Sequence, residues 1–387
     1  MSEDRGTVVP GDFGGHVIDI NPVGKPRRRR RRGLWLLVLA LIALLFGVSR
    51  ASAIYIDTLW FGSLGYGTVY WTTLKYEVAL FLVFALATII ILRGAFWLLE
   101  RTFDVSALAP RRMMLNNQPV SVAPARLLKP AAWVVALFFG LSYGIGMSDE
   151  WQTFALWLNR PQTGDADAVF SKPVGFYLFT LPFASSVVSW LLMLAFIILC
   201  AALAYALLAA LPAGAGVEAF DAPRRKSLPT GARRAAYTAV STALAALLTV
   251  LALRVYLSRF TYLFDDHTIF SGVTYTEDHY VLPGLTIVCV ALLVAAAVAL
   301  LNAFALRRAR VLAFAVGLPV LVFLLAVVAV PAYVQSYIVK PNELDREAPY
   351  IERNIAATRR AFNLEQVEAR DFPAETATEA YALDANH

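Results

Sequence analysis

Two acid-acid-histidine triplets are the residues best equipped for chemistry: Asp265-Asp266-His267 and, twelve positions on, Glu277-Asp278-His279. Carboxylate oxygens and imidazole nitrogens are ligands for zinc and calcium, so Asp265, Asp266, His267, Asp278 and His279 are the candidate metal ligands. Their spacing matches neither an HExxH helix pair nor an EF-hand loop. The plainer reading is an acidic solvated loop whose histidines cap or hydrogen-bond locally, and we expect neither metal nor cofactor. Nucleophile elbows, phosphate loops and CxxC pairs do not occur in the sequence. The chain is expected not to be an enzyme, any further carboxyl-terminal domain aside.

What must position these residues is a set of apolar rods. The chain is 59% hydrophobic and 16% charged, with a mean hydropathy of +0.61. An ordinary soluble domain carries about 25% charge. Stretches of about 20 apolar residues cross a bilayer core, and only helices or closed barrels satisfy their backbone there. Alternating ten-residue strands are not seen, which excludes a barrel. The expected fold is an all-α membrane protein of seven transmembrane helices: 34–56, 78–99, 131–147, 185–211, 235–257, 285–306 and 311–333.

The net charge of +6 is unevenly spread. Arg27, Arg28, Arg29, Arg30, Arg31 and Arg32 directly precede the first span. Three further basic segments follow at alternate loops: Arg101 to Lys129, Arg224 to Arg234, and Arg307 to Arg310. Positive charge marks the cytoplasmic side, so the amino end is expected inside and the carboxyl end outside. The arginine run is a topology signal in contact with the lipid bilayer. No aromatic residues interleave with it, so nucleic acid is not an expected partner. Residues 1–33 read as a disordered basic cytoplasmic tail. A cleavable signal ending near Ala51-Ser52-Ala53 is the alternative start, but apolar character runs past it to Ile56.

Polar machinery is sparse inside the spans. Arg93 and Arg254 lie near span ends, where they can snorkel. Cys200 and Cys289 differ in depth by roughly 20 Å, too far for a disulfide. Gly140 and Gly144, and Ala295 with Ala299, offer small faces for close helix approach.

The loops placed outside are aromatic. Leu59-Trp60-Phe61-Gly62-Ser63-Leu64-Gly65-Tyr66 reads as an interfacial segment, partly helical and broken at its glycines. Residues 334–387 form an extracytoplasmic tail with an amphipathic helix at about 349–362. Pro349 suits its first turn, and Arg359 and Arg360 suit its last. Ile351, Ile355 and Phe362 trace one face and are the expected docking residues.

Four segments together resemble a bacterial membrane-protein family, uncharacterised protein family 0182. They are Leu59 to Tyr66, Gly175-Phe176-Tyr177-Leu178-Phe179, Tyr275-Thr276 with His279 and Leu282-Pro283, and Lys340-Pro341-Asn342-Glu343-Leu344 running to Ile355. The resemblance implies a multi-pass protein of the bacterial plasma membrane with its carboxyl end outside. It also implies a large extracytoplasmic domain after the tail helix, near where this chain stops. The expected role is an anchor or platform for an extracytoplasmic module or protein of the envelope. The alternative is a channel or lipid-handling transport component. The sequence sets no oligomeric state.

Overall fold

The structure is a computed structural model that describes residues 28–104, 111–115, 118–122, 124–161, 164, 166–210, 230–267 and 270–367. Arg27, most of the expected amino-terminal tail and the end of the carboxyl tail lie outside these residues. The chain divides into two compact units, residues 1–72 and 73–387.

In the first unit, α1 (Arg28–Ser63) turns into the start of α2 (Gly67–Thr102). Arg28 to Arg32 are thus the opening turns of α1, not a disordered tail. The expected interfacial segment is partly helical, through Ser63. It breaks only between Ser63 and Gly67, where Gly65 takes a φ of 80°, open to glycine without strain. Tyr66 N–H donates to the Phe61 carbonyl at 2.9 Å, and the Phe61 and Tyr70 rings stack at 5.2 Å.

The second unit is a helical bundle. α2 leads to a short hairpin, β1 (Arg111–Leu115) against β2 (Gln118–Val122), with Leu115 opposite Gln118. This hairpin is an exception to the all-helical expectation. Then come α3 (Pro124–Asp149), α4 (Trp151–Leu158), α5 (Leu181–Ala210), α6 (Thr230–Ser258) and α7 (Leu282–Leu301). α8 (Ala309–Phe323), α9 (Val330–Val334) and α10 (Glu343–Ala361) follow without a break in helical character, joined by π turns at Leu324–Ala329 and Gln335–Val339 and a 3-10 turn at Lys340–Asn342.

Six helices among the described residues are long and apolar enough to cross a membrane: 67–102, 126–149, 176–210, 231–264, 277–306 and 309–361. Five of them contain one expected span each and overrun it at one end or both, and 176–210 covers the expected 185–211 up to residue 210, the last described there. Apolar runs report hydrocarbon thickness, whereas helices continue through the interface. The tail helix is therefore not separate. It begins at Glu343 as the continuation of the last span, and Pro349 lies in its interior.

Helix contacts follow the small residues. A Cβ built on Gly140 would meet Ile89 at 2.5 Å, and one on Gly144 would meet Ala85 and Phe81 at 2.9 Å, so α3 sits tight on α2 as expected. Ala295 and Ala299 are buried in the cluster where α7 packs on α6. Gly284, which the sequence reading overlooked, is as close and less forgiving: its Cβ would strike the backbone oxygen of Ala326 at 2.5 Å. Two buried polar pairs tie helices together, Trp190 Nε1 donating to Thr88 Oγ1 at 2.9 Å and Asn302 Nδ2 donating to Ser241 Oγ at 3.0 Å. Arg93 does more than snorkel. It pairs with Glu100 at 3.3 Å and lies over the Trp133 ring. Both cysteines are free.

Candidate functional site

The two triplets do converge with another element, but the element is α10. After α6 the chain makes a 3-10 turn at Arg259–Phe264, an isolated bridge between Asp266 and Ser271, and a π turn at Glu277–Val281 that enters α7. This segment carries the candidate ligands and receives one edge of α10.

Their partners are protein groups. His267 Nε2 lies 3.2 Å from Glu277 Oε2, and that oxygen also accepts from Thr274 N–H at 2.9 Å. Asp266 Oδ1 accepts from Ser271 Oγ at 2.7 Å. Asp265 offers its backbone carbonyl to Gly272 N–H at 2.8 Å. Asp278 Oδ2 accepts from the Tyr350 hydroxyl at 2.9 Å. His279 Nδ1 lies 3.2 Å from both the Tyr350 hydroxyl oxygen and the Tyr275 carbonyl. A hydrogen on Nδ1 lets His279 donate to those oxygens while Tyr350 donates to Asp278. Among the described residues no group of three or more His, Cys, Asp or Glu is arranged to hold a metal ion.

α10 contributes Glu347, Tyr350 and Asn354, spaced three and four apart and so on one edge. Glu347 is buried, 4% exposed, and both its oxygens accept from Tyr275 N–H, at 3.1 and 3.3 Å. Asn354 Nδ2 donates to the Ser271 carbonyl at 2.7 Å. Arg346 lies over the Tyr275 ring and Arg353 over that of Tyr350. Just below, Thr276 and Gln335 share a short hydrogen bond. The expected docking face of Ile351, Ile355 and Phe362 is not the edge that meets the α6–α7 loop. Ile355 and Phe362 are exposed, and Ile351 is half-buried. The receiving surface offers the Tyr275 N–H, the Ser271 carbonyl and the Asp278 and His279 side chains, and it is polar side chains of α10 that meet them.

Glu347 lies beyond the stretch expected to cross the membrane, and its carboxyl is held above the ordinary range. Burial is the main cause, and the Tyr275 N–H opposes it. Neighbouring Glu343 and Glu277 add to the rise, and His267 counters them. A cavity of about 440 Å³ opens beside these groups, lined by Asp266, His267, Gln335, Glu343 and Glu347 among others.

A second polar hub, missed from the sequence, organises the segment between α4 and α5. Asp167 accepts from the N–H groups of Val169, Phe170 and Lys172 at 2.8, 2.6 and 2.8 Å, and from the Tyr177 hydroxyl at 2.7 Å. Burial works to raise this carboxyl, but the hydrogen bonds from Phe170, Tyr177, Lys172 and Val169 outweigh it and leave it below the usual value. The available signal was an aspartate followed by a tight turn, with Ser171 at a φ of 53°.

Comparison with known proteins follows the same outline. The profile of an uncharacterised protein family, UPF0182, matches residues 34–387. A UPF0182 protein of Cupriavidus necator is 34% identical over 371 residues, covering 95% of this chain and 39% of that protein. Another from a Nocardioides species is 30% identical over 369 residues, covering 93% of this chain and 34% of that protein. A third, from Trichodesmium erythraeum, is 27% identical over 353 residues, covering 89% and 36%. The chain thus spans somewhat over a third of the length of these relatives. No solved structure matches it. Its multiple membrane-capable helices and the near-complete match to the family profile agree, and the chain belongs to the uncharacterised protein family UPF0182.

Proposed function

We propose that this chain is the membrane anchor and orienting platform of an extracytoplasmic module in the plasma membrane of a bacterium. In this reading α1 is the seventh span, crossing at 34–56, and the amino end is cytoplasmic. The basic segments at alternate loops support that orientation. The helices themselves carry no reaction. Their partners are the bilayer and whatever protein or domain sits beyond α10.

One observation carries the reading. α10 grows out of the last span and is clasped to the α6–α7 loop by Glu347, Tyr350 and Asn354. A helix held at its base and along one edge fixes the direction of what it bears. Three described cavities lie at helix ends, an arrangement that a packed anchor accommodates.

The test is deletion of residues 341–363 in cells. In-cell cross-linking from the α6–α7 loop should lose its envelope partner, while membrane insertion is unchanged. Undiminished capture would refute the anchor role. A reporter fused after Ala361 should be active only outside the cytosol.

A further inference from the structure

The opposite end of the bundle holds a cavity of about 630 Å³, into which Arg233 of α6 and Arg308 and Arg310, at the start of α8, all face. None of the three pairs with a carboxylate among the described residues. Arg233 lies over the Tyr237 ring at 5.8 Å, leaving its donors free for another group. The walls are apolar: Leu306, Val311 and Phe314 line the same cavity, and Leu306 and Phe314 are exposed at its mouth.

The cradle is built rather than incidental. α7 ends in a π turn, Asn302–Leu306, and Arg307 follows with a φ of 51°. The fully buried Asn302 fixes this reversal: its Oδ1 accepts from Arg308 N–H at 2.8 Å and its Nδ2 donates to buried Ser241. Thr238 Oγ1 adds a hydrogen bond to the Ala303 carbonyl at 3.0 Å. Bonds from α6 thus set where the Arg308 and Arg310 backbone emerges. A topology signal needs charge alone. Here charge comes with a cavity, a ring to seat one guanidinium and a pinned turn.

We propose that this cavity binds the headgroup phosphate of an anionic diacyl phospholipid. Arg233, Arg308 and Arg310 hold the phosphate oxygens, and the acyl chains leave along Leu306, Val311 and Phe314. Guanidinium groups recognise phosphate through paired donors. Basic pockets between spanning helices near a leaflet suit lipid headgroups. A free phosphate would leave the apolar wall against water, which favours the lipid. This goes beyond the anchor role and is independent of the α10 clasp.

The test uses the purified full chain in a neutral detergent, titrated with dioleoylphosphatidylglycerol, dioleoylphosphatidylcholine or sodium phosphate. Binding is read by native mass spectrometry and by the shift in Tm. The anionic lipid should bind and raise Tm, and the other two should do so far less. Each arginine removed should weaken binding about fivefold, so the double variant R308Q/R310Q should lose roughly 25-fold. R308K/R310K, which keeps the charge but not the paired donors, should bind more weakly than the wild type and more tightly than R308Q/R310Q. V311W, which fills the cavity and leaves every charge in place, should also lose it, and covers the case in which the glutamine variant folds poorly. Equal affinity for phosphatidylcholine, equal protection by phosphate, or unchanged lipid binding in either R308Q/R310Q or V311W would overturn the proposal.

Discussion

The Tyr350 hydroxyl donates to Asp278 across 2.9 Å, joining α10 to the loop between α6 and α7. Seventy-two residues separate the two in sequence, so the bond closes a long loop of chain. Tyr350→Phe removes it and leaves a partly buried carboxylate short of a donor. The expected cost is about 1 to 2 kcal/mol of local stability, appropriate to a hydrogen bond to a charged acceptor. Hydrogen exchange should report it as faster exchange confined to 343–361, with α6 and α7 unchanged. Equal exchange in both proteins would mean the bond does not hold the helix.

Acidity should tighten that clasp. Glu347 has a raised carboxyl pKa in the folded protein, so its folded form binds a proton more readily than its unfolded form. Its contribution is most favourable below the ordinary value of 4.5 and fades as pH rises through the higher folded value. Protection of α10 amides should therefore increase on lowering pH from 7 towards 4.5. Glu347→Gln, neutral at every pH, should flatten that dependence. A flat wild-type profile would contradict the burial argument.

Asp167 has the opposite sign. Its carboxyl is lowered, so its contribution is present above the ordinary 3.8 and disappears as pH falls through the lower folded value. Asp167→Ala removes the acceptor of three backbone N–H groups. Partly exposed, these can recruit water, so the expected loss is local. Proteolysis between α4 and α5 should rise severalfold while the spans stay intact.

Close helix approach gives a paired test. Gly140→Ala places a methyl group against Ile89, whereas Gly146→Ala on the same helix meets nothing within 4 Å. The first should lose about 1 to 3 kcal/mol and the second should be neutral or slightly stabilising. Gly284→Ala should be worse than either, because its obstacle is backbone oxygen, which moves less easily than a side chain. Thermal unfolding in detergent ranks the three.

The spans were legible because hydrocarbon imposes a strong and simple pattern on sequence. Each membrane-capable helix among the described residues coincides with one apolar run named from the sequence. The ends were not legible, since polar interfacial residues such as Tyr70 and Arg101 continue a helix without an apolar signature. The family was legible from Leu59 to Tyr66 and Lys340 to Ile355, segments whose composition is unusual for loops. The docking edge of α10 was misread for a specific reason. An apolar stripe at Ile351, Ile355 and Phe362 implies an apolar partner, but the surface that receives the helix is hydrogen-bonding backbone and side chains. Glu347, an acid that composition alone would leave in water, is the buried residue. The metal-like triplets were real as a cluster, in which Asp278 meets Tyr350, His267 meets Glu277 and His279 meets the Tyr275 carbonyl.

The π turns between α8 and α10 have an angular meaning. Each carries one residue more than an α-turn would need, and one residue corresponds to about 100° around a helix axis. Trimming a single amino acid from 324–329 would barely shorten the rod, yet it would swing Glu347, Tyr350 and Asn354 about a quarter-turn off their seats. The bulges therefore act as a phase setting, by which the packing of α8 dictates which edge of α10 turns towards the α6–α7 loop.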